Sequence, residues 1–108
     1  MFFMVATDIE KEIEYITRQI VQKYQPQKII LFGSAAEGSF NKDSDLDFFI
    51  IKDDPRPGGD RICDVSAMFE HNVAADILVY TPAELEQCIK WGDPFVKDIL
   101  SHGRTLYG

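Results

Sequence analysis

Apolar residues recur at helical spacing over residues 8–24, and this pattern predicts an amphipathic helix. Its apolar stripe consists of Ile9, Ile13, Ile16 and Ile20. Thr7 or Asp8 is the expected cap at its start, and Pro26 stops it because proline cannot continue a helix. The first predicted element is therefore a helix with one face to bury.

Three short runs of branched and aromatic residues predict buried strands, because their length suits strands better than helices. The runs are residues 28–32, 46–51 and 74–80. Gly33 follows the first run and precedes small residues, 34–38, that predict a short helical turn. Residues 52–60 contain two prolines and two glycines among charged residues and predict a mobile loop.

Three further helices are predicted in the second half of the chain. The first covers residues 60–71, the second opens with a Thr-Pro-Ala-Glu capping box at residues 81–84, and Gly92 and Pro94 separate it from the third. The inward residues expected of these helices are Ile62, Val65 and Phe69, then Leu85, Cys88 and Ile89, then Phe95, Val96, Ile99 and Leu100. Residues 104–107 predict a tail strand or an extended piece.

The element order α-β-(α)-β-α-β-α-α predicts a single α/β domain over residues 1–108, in which helices flank a small sheet of three core strands. Residues 2–4 (Phe-Phe-Met) suit a disordered end, an extra edge strand or an oligomer contact, and the last two are favoured. Oligomerisation, with itself or with another protein, stays open at this stage.

Charge and composition argue against several classes of protein. The chain has 108 residues and a formal charge of −7, which argues against broad electrostatic binding of DNA or RNA. No apolar run approaches the ~20 residues of a membrane span, and the start lacks the basic lead-in of a signal peptide. A cytoplasmic protein is expected, with Cys63 and Cys88 as reduced core thiols.

Acidic residues on two of the predicted strands carry the candidate chemistry. Asp45 and Asp47 are two residues apart, so both point to one face of a strand, roughly 6.5–7 Å apart. Asp76 stands in an otherwise apolar strand, where a charge is costly unless it is paired, coordinated or terminal. If these strands are neighbours, three carboxylates converge and can hold two Mg²⁺ ions for displacement at phosphorus. Gly33 and Ser34 then suit a phosphate contact.

These residues resemble the signature of the polymerase-beta-type nucleotidyltransferase superfamily: Gly33-Ser34, then Ser44-Asp45-Leu46-Asp47, then Asp76. In its small size the chain resembles the members of the minimal nucleotidyltransferase (MNT) branch of that superfamily. The resemblance implies a mixed-sheet α/β fold, with Asp45, Asp47 and Asp76 as catalytic metal ligands. It also implies that Gly33 and Ser34 bind the nucleotide triphosphate and that Mg²⁺, or Mn²⁺ in its place, is the cofactor.

The same resemblance implies a partner and a role. Many MNT relatives are paired with a helical HEPN-domain protein, often a toxin with ribonuclease activity, and act as its antitoxin; some transfer AMP from ATP to a tyrosine of that partner. An acid, Glu37, stands where many relatives have a base. Lys42, Lys52, Arg56 and Arg61 are candidate replacements for that missing positive charge.

Three functions remain open from the sequence. The first is Mg²⁺-dependent transfer of AMP from ATP, or another nucleotide, to a protein hydroxyl. The second is a catalytically weak module that neutralises a HEPN partner by binding alone, which Glu37 and the charge of −7 mildly favour. The third and weakest is transfer to a small molecule, which needs a pocket for that acceptor. Neither membrane nor direct nucleic-acid binding is expected.

Several further residues carry predictions of their own. Asp53 and Asp54 are expected to be solvated loop acids, and Asp43 a turn cap. His71 and His102 are expected near helix ends and not as metal ligands. For Arg104, a helix cap and a substrate contact are equally favoured. Trp91 and Phe95 are expected to cover the edge of the core, and they mark a partner surface if both are exposed.

Overall fold

The computed structural model describes residues 6–38, 45–70 and 73–108. Within them lie four helices and four strands in the order α1 (Ala6–Tyr24), β1 (Lys28–Phe32), β2 (Leu46–Ile51), α2 (Gly58–Met68), β3 (Ala75–Tyr80), α3 (Pro82–Trp91), α4 (Pro94–His102) and β4 (Arg104–Tyr107). Every strand and long helix predicted from the periodicity is present. The predictions for residues 2–4, Lys42, Asp43 and His71 fall outside the described residues.

The strands form one mixed sheet in the order β3-β2-β1-β4. β1 is antiparallel to both β2 and β4, whereas β2 and β3 are parallel and are connected through α2. The predicted α/β fold is therefore confirmed, and the fourth strand is the tail over residues 104–107. None of the helices in the described ranges is long and apolar enough to cross a membrane.

The first face of the sheet holds the larger part of the core. The isoleucine stripe of α1 packs there with Val65 and Phe69 against alternate residues of the strands, which include Leu31, Phe48, Ile50 and Val79. Burying each such side chain contributes about 1.5–3 kcal/mol relative to leaving it exposed. Leu46 belongs to this cluster, as its alternation with the aspartates on either side predicts.

The second face is covered by α3 and α4, and its buried cluster is smaller. Ile30, Phe49, Ile51 and Ile99 form its buried cluster. α4 contributes two buried residues, Val96 and Ile99, but α3 contributes none. The α3 helix is therefore held mainly by its ends, through the predicted capping box and Gly92 in a left-handed conformation.

Several sequence predictions need correction. Helix α2 spans 58–68 and not 60–71, so the loop before it is shorter, and Phe69 is buried just after the helix ends. Cys63 is exposed and Cys88 is only half-buried, so neither is a fully buried core thiol. Ile89, Phe95 and Leu100 are also exposed, because no element of the described residues packs over the outer side of α3 and α4.

Candidate acidic site

The register of the sheet brings the predicted acids together at one end of β2. Asp47 is paired with Phe32 on β1 and with Asp76 on β3, which runs parallel to β2. Asp45 lies two residues before Asp47 and so projects to the same face. That face is the second one, because the alternate residues Phe49 and Leu78 belong to its cluster. The condition set for the three acids to approach one another, that their two strands are neighbours, is therefore met.

The carboxyl groups of this acidic cluster, defined as Asp45, Asp47 and Asp76, interact electrostatically. Burial raises the pKa of Asp47 above its usual value, and the charges of Asp76 and Asp45 raise it further. Burial also raises the pKa of Asp76, with added contributions from the charge of Asp45 and a hydrogen bond to it. No salt bridge among the described residues joins any of the three to Lys or Arg. The cluster therefore carries uncompensated negative charge.

The donor chemistry of the acidic cluster suits a hard cation such as Mg²⁺, which prefers carboxylate oxygens. Across the ranges that the structure describes, however, no three His, Cys, Asp or Glu side chains converge closely enough to form a metal-binding group. The acidic cluster thus has the type of ligand that Mg²⁺ needs, and a bound cation would relieve the repulsion among its carboxylates. Its three carboxylates are, however, spread along two strands.

Gly33 brings the end of β1 against the acidic cluster. Its φ is +75°, a conformation that residues with a side chain rarely adopt. A Cβ atom at this position would collide with Oδ2 of Asp47. Glycine therefore both permits the turn after β1 and leaves room for the Asp47 carboxylate.

Residues 34–38 form a single turn and not a helix of their own. The amides of Ala36 and Glu37 both donate to the carbonyl oxygen of Gly33, at 3.2 Å. Two of the N–H groups that an anion site would use are therefore engaged within the turn. Ser34 is half-buried beside Gly33, and Glu37 is exposed.

A cleft of about 270 Å³ opens between this turn and α4; we call it the α4 cleft. Its lining includes Phe32, Gly33, Glu37, Phe95, Asp98 and His102. The rings of Phe32 and Phe95 meet edge to face, with centroids 5.8 Å apart. Nδ1 of His102 lies 2.9 Å from Oδ1 of Asp98. Sequence reasoning missed Asp98, although Phe95, Asp98 and His102 recur at helical spacing and so share one face of α4.

Three of the four cations offered as replacements for a base at position 37 lie elsewhere, and the fourth, Lys42, is outside the described residues. Lys52 follows the last residue of β2, about 20 Å along the strand direction from the first residue of β2, Leu46. Arg56 contacts Asp54 and Asp64 at 2.7 and 2.6 Å, and Arg61 contacts Glu84 at 2.7 Å. None of the three lines the α4 cleft. The prediction that they serve the phosphate site is wrong.

Asp54 is buried, and the prediction that it is a solvated loop acid is also wrong. Hydrogen bonds from the Arg56 guanidinium hold its pKa well below the usual range, and the Tyr24 hydroxyl donates to it at 2.7 Å. Its backbone carbonyl accepts from the buried Arg61 at 3.0 Å. Asp53, in contrast, is exposed as predicted.

The structure also tests the predictions made for Arg104, Trp91 and Phe95. Arg104 forms a two-pronged contact with Glu10 of α1, at 2.7 and 2.8 Å, a partner that neither predicted role, helix cap or substrate contact, includes. Trp91 is 76% exposed and Phe95 is 48% exposed. The condition set for a partner surface, joint exposure of Trp91 and Phe95, is therefore met.

Comparison with known proteins gives three matches. Residues 13–104 match the family model described as "Nucleotidyltransferase domain". A protein of Methanocaldococcus jannaschii named "Putative protein adenylyltransferase" is 30% identical over 102 residues, which cover 91% of this chain and 97% of that protein. The crystal structure of a "putative nucleotidyltransferase" from Sulfolobus solfataricus superposes with a TM-score of 0.54 at 24% identity. That superposition covers 73% of this chain and 78% of the other, and it supports the fold alone.

Proposed function

Since the chain belongs to the nucleotidyltransferase domain family, we propose that it transfers AMP from ATP to a hydroxyl group of a partner protein. One observation carries the proposal: Asp45, Asp47 and Asp76 lie together at the end of β2, with the Asp47 carboxylate against Gly33. A nucleotidyl transfer needs carboxylates and a close backbone approach to phosphate at one place.

The proposed reaction is an in-line displacement at the α-phosphorus of ATP. The acceptor oxygen forms a bond to that phosphorus while the bond to the bridging oxygen breaks, and pyrophosphate leaves. Asp76, which is paired with Asp47 across β2 and β3, takes the proton of the acceptor hydroxyl. Gly33 and Ser34 hold the triphosphate against the turn.

Asp45, Asp47 and Asp76 are the residues that would hold Mg²⁺ in this proposal, with two ions expected and Mn²⁺ able to substitute. When bound, the metal supplies charge neutralisation at the triphosphate and lowers the pKa of the acceptor hydroxyl. The unpaired negative charge of the acidic cluster supports this assignment.

The name of the M. jannaschii relative supports a protein as the acceptor, since that protein is called a protein adenylyltransferase. We extend the proposal to the MNT branch and to a cytoplasmic antitoxin whose partner is a HEPN-domain protein. The exposed aromatics Trp91 and Phe95 supply a surface on which such a partner would dock.

The test is to recover the tagged protein from its own cells with whatever it binds, and to add Mg²⁺ with ATP labelled at the α-phosphate. We expect label on a co-purified protein, and none with Asp45→Asn. The matched control is Asp53→Asn, which removes an exposed loop acid near the far end of β2. Equal labelling by Asp45→Asn and the unsubstituted protein would show that the acidic cluster is not the catalytic site.

A second candidate function is neutralisation of the partner by binding alone. Two observations favour it: the three carboxylates do not converge on one point, and two amides of the 34–38 turn are engaged. Protection of cells from the partner separates the candidates, because Asp45→Asn abolishes it if chemistry is required and preserves it if covering the partner suffices.

A further inference from the structure

The negative charge at the candidate site has no compensating cation in the described part of the chain. The acidic cluster lies against Gly33. The α4 cleft, which Gly33 also lines, contains two more acids, Glu37 and Asp98. A bound triphosphate would add further negative charge at the same place. Such a site needs positive charge beyond what two metal ions bring, as phosphoryl-transfer sites commonly show.

Ten of the eleven Lys and Arg residues lie in the described ranges, and all ten stand elsewhere. Lys11, Arg18 and Lys23 belong to α1 on the opposite face of the sheet, where Arg104 contacts Glu10. Lys28, Lys52 and Arg56 lie beyond the far ends of β1 and β2. The remaining three are Arg61, Lys90 and Lys97.

The last three cations also do not supply positive charge to the candidate site. Arg61 is buried against Glu84 of α3, and Lys90 lies in the last turn of that helix. Lys97 is on α4, but successive helical residues are about 100° apart, which directs it nearly opposite to the side that carries Phe95, Asp98 and His102. A permanent positive charge, of the kind that Lys and Arg carry, must therefore come from Lys42, outside the described ranges, or from another molecule; His102, which contacts Asp98 in the cleft, is charged only when protonated.

The α4 cleft has the chemistry of a receptor for a guanidinium group. Its aromatic wall includes Phe95, 48% exposed, and a guanidinium stacks favourably on such a ring. Glu37 and Asp98 offer carboxylates that a planar, five-donor group can bind together with a phosphate. Its volume of about 270 Å³ is below the ~300–1,000 Å³ usual for small-molecule pockets. The acids would also repel a nucleotide.

We propose that the α4 cleft receives an arginine side chain of the partner protein, which completes the neutralisation of the bound triphosphate in trans. This inference rests on the proposed function and adds to it a condition: the isolated chain binds Mg²⁺ and nucleotide weakly, and the partner strengthens that binding. Glu37 then binds the arginine of the partner, and that arginine takes the place of the basic residue that many relatives have at position 37.

Calorimetric titration with a non-hydrolysable ATP analogue, methylene-bridged between its α and β phosphorus atoms, tests this inference in the presence of Mg²⁺. We expect weak binding to the isolated protein and about tenfold tighter binding when the peptide acetyl-Ala-Arg-Ala-amide is added. The peptide acetyl-Ala-Gln-Ala-amide should have no effect. Glu37→Arg should bind tightly without peptide and should no longer respond to it.

Two controls keep the result specific. Glu86→Arg makes the same change in charge on α3, beside Gln27 and Ile51 at the other end of the sheet, and should leave the affinity unchanged. Lys42→Ala should also leave the affinity and the peptide response unchanged. If Lys42→Ala instead abolishes nucleotide binding, the cation comes from this chain and the inference is wrong.

The remaining outcomes separate the two proposals. Tight binding by the isolated protein, with no effect of Glu37→Arg or of the arginine peptide, overturns the docking of a partner arginine and leaves nucleotidyl transfer intact. Absence of binding in every variant, with and without peptide, overturns the proposed function itself. Circular dichroism of each variant confirms that it is folded.

Discussion

At the scale of single residues, Gly33 links the fold to the candidate chemistry. The chain leaves β1 through a positive φ there, and the hydrogen atom of the glycine faces the Asp47 carboxylate. Gly38, five residues later, has a similar φ of +79°, but no atom of the described residues lies within 4 Å of where its Cβ would be. A substitution at Gly38 therefore measures the cost of a strained backbone alone, whereas a substitution at Gly33 adds the cost of a steric collision.

We predict that Gly38→Ala lowers the free energy of unfolding by about 1–2 kcal/mol, the usual cost of a left-handed conformation for a residue with a side chain. Gly33→Ala should cost more, because it also displaces Asp47, and it alone should weaken Mg²⁺-dependent nucleotide binding. Urea denaturation and calorimetry measure the two effects. Equal losses of stability, with nucleotide binding intact in both variants, would contradict the close contact between residue 33 and Asp47.

Asp54 gives the second prediction at this scale. Its pKa is lowered in the folded protein by the Arg56 hydrogen bonds, so the unfolded chain binds its proton more readily. The stability it contributes is therefore fully present above the ordinary pKa of 3.8 and is lost as the pH falls further toward the folded-state value. Asp54→Asn should lower stability at pH 7 by about 1–3 kcal/mol and should flatten the decline below pH 4.

Thermal unfolding between pH 2 and pH 7 measures this dependence. Asp53→Asn is the matched control, because the neighbouring carboxylate is exposed. A decline below pH 4 that is as steep in Asp54→Asn as in the unsubstituted protein would show that other carboxylates cause it.

At the scale of elements, periodicity predicted most of what the structure contains. The α1 stripe and the three apolar strands follow from spacing alone, because one buried face per element determines where apolar residues can stand. The placement of Asp45 and Asp47 on one face follows from the period of two along a strand, whereas the position of Asp76 beside them depends on how β3 pairs with β2. The separation of the three acids along two strands likewise does not follow from that period, since it depends on the register between β2 and β3.

Other features were not predictable because they join residues distant in sequence. The burial of Asp54 depends on Tyr24, thirty positions away, and on the path of the loop that carries Arg56. The contact of Arg104 with Glu10 spans ninety-four positions. Periodicity reports which face of an element is apolar, but it does not report which charged groups the folded chain brings together.

Helix α3 gives the prediction that belongs to this scale. Because none of its residues is buried, its amides should exchange with solvent faster than those of α1, whose apolar stripe is buried. Hydrogen exchange followed by mass spectrometry measures both helices in one experiment. Protection of α3 equal to that of α1 in the isolated protein would indicate an additional contact over α3, such as self-association.

At the scale of the whole molecule, the acidic cluster connects ligand binding to stability. Burial, together with repulsion among the acids, raises the pKa of Asp47 and Asp76, so these groups make the fold less stable as the pH rises through their folded-state values. This dependence is opposite in sign to that of Asp54. A cation bound between the strands would remove the repulsion, and any ligand specific for the native state raises Tm.

We predict that millimolar Mg²⁺ with ATP raises Tm in the unsubstituted protein and not in the Asp45→Ala, Asp47→Ala double variant. Without metal, the double variant should melt at the same or a higher temperature, because it lacks the repulsion. Differential scanning fluorimetry with and without a chelator provides both comparisons. A clear loss of metal-free stability in the double variant would show that these acids serve the fold.

The absence of buried residues in α3 also bears on how such a domain diverges. Selection for folding acts weakly on a helix whose side chains all reach solvent, so substitutions accumulate there without loss of the native state. After gene duplication, two copies could keep identical acids and an identical core while their α3 surfaces drift apart. Mutually exclusive sets of binding partners could then arise from a single ancestral domain.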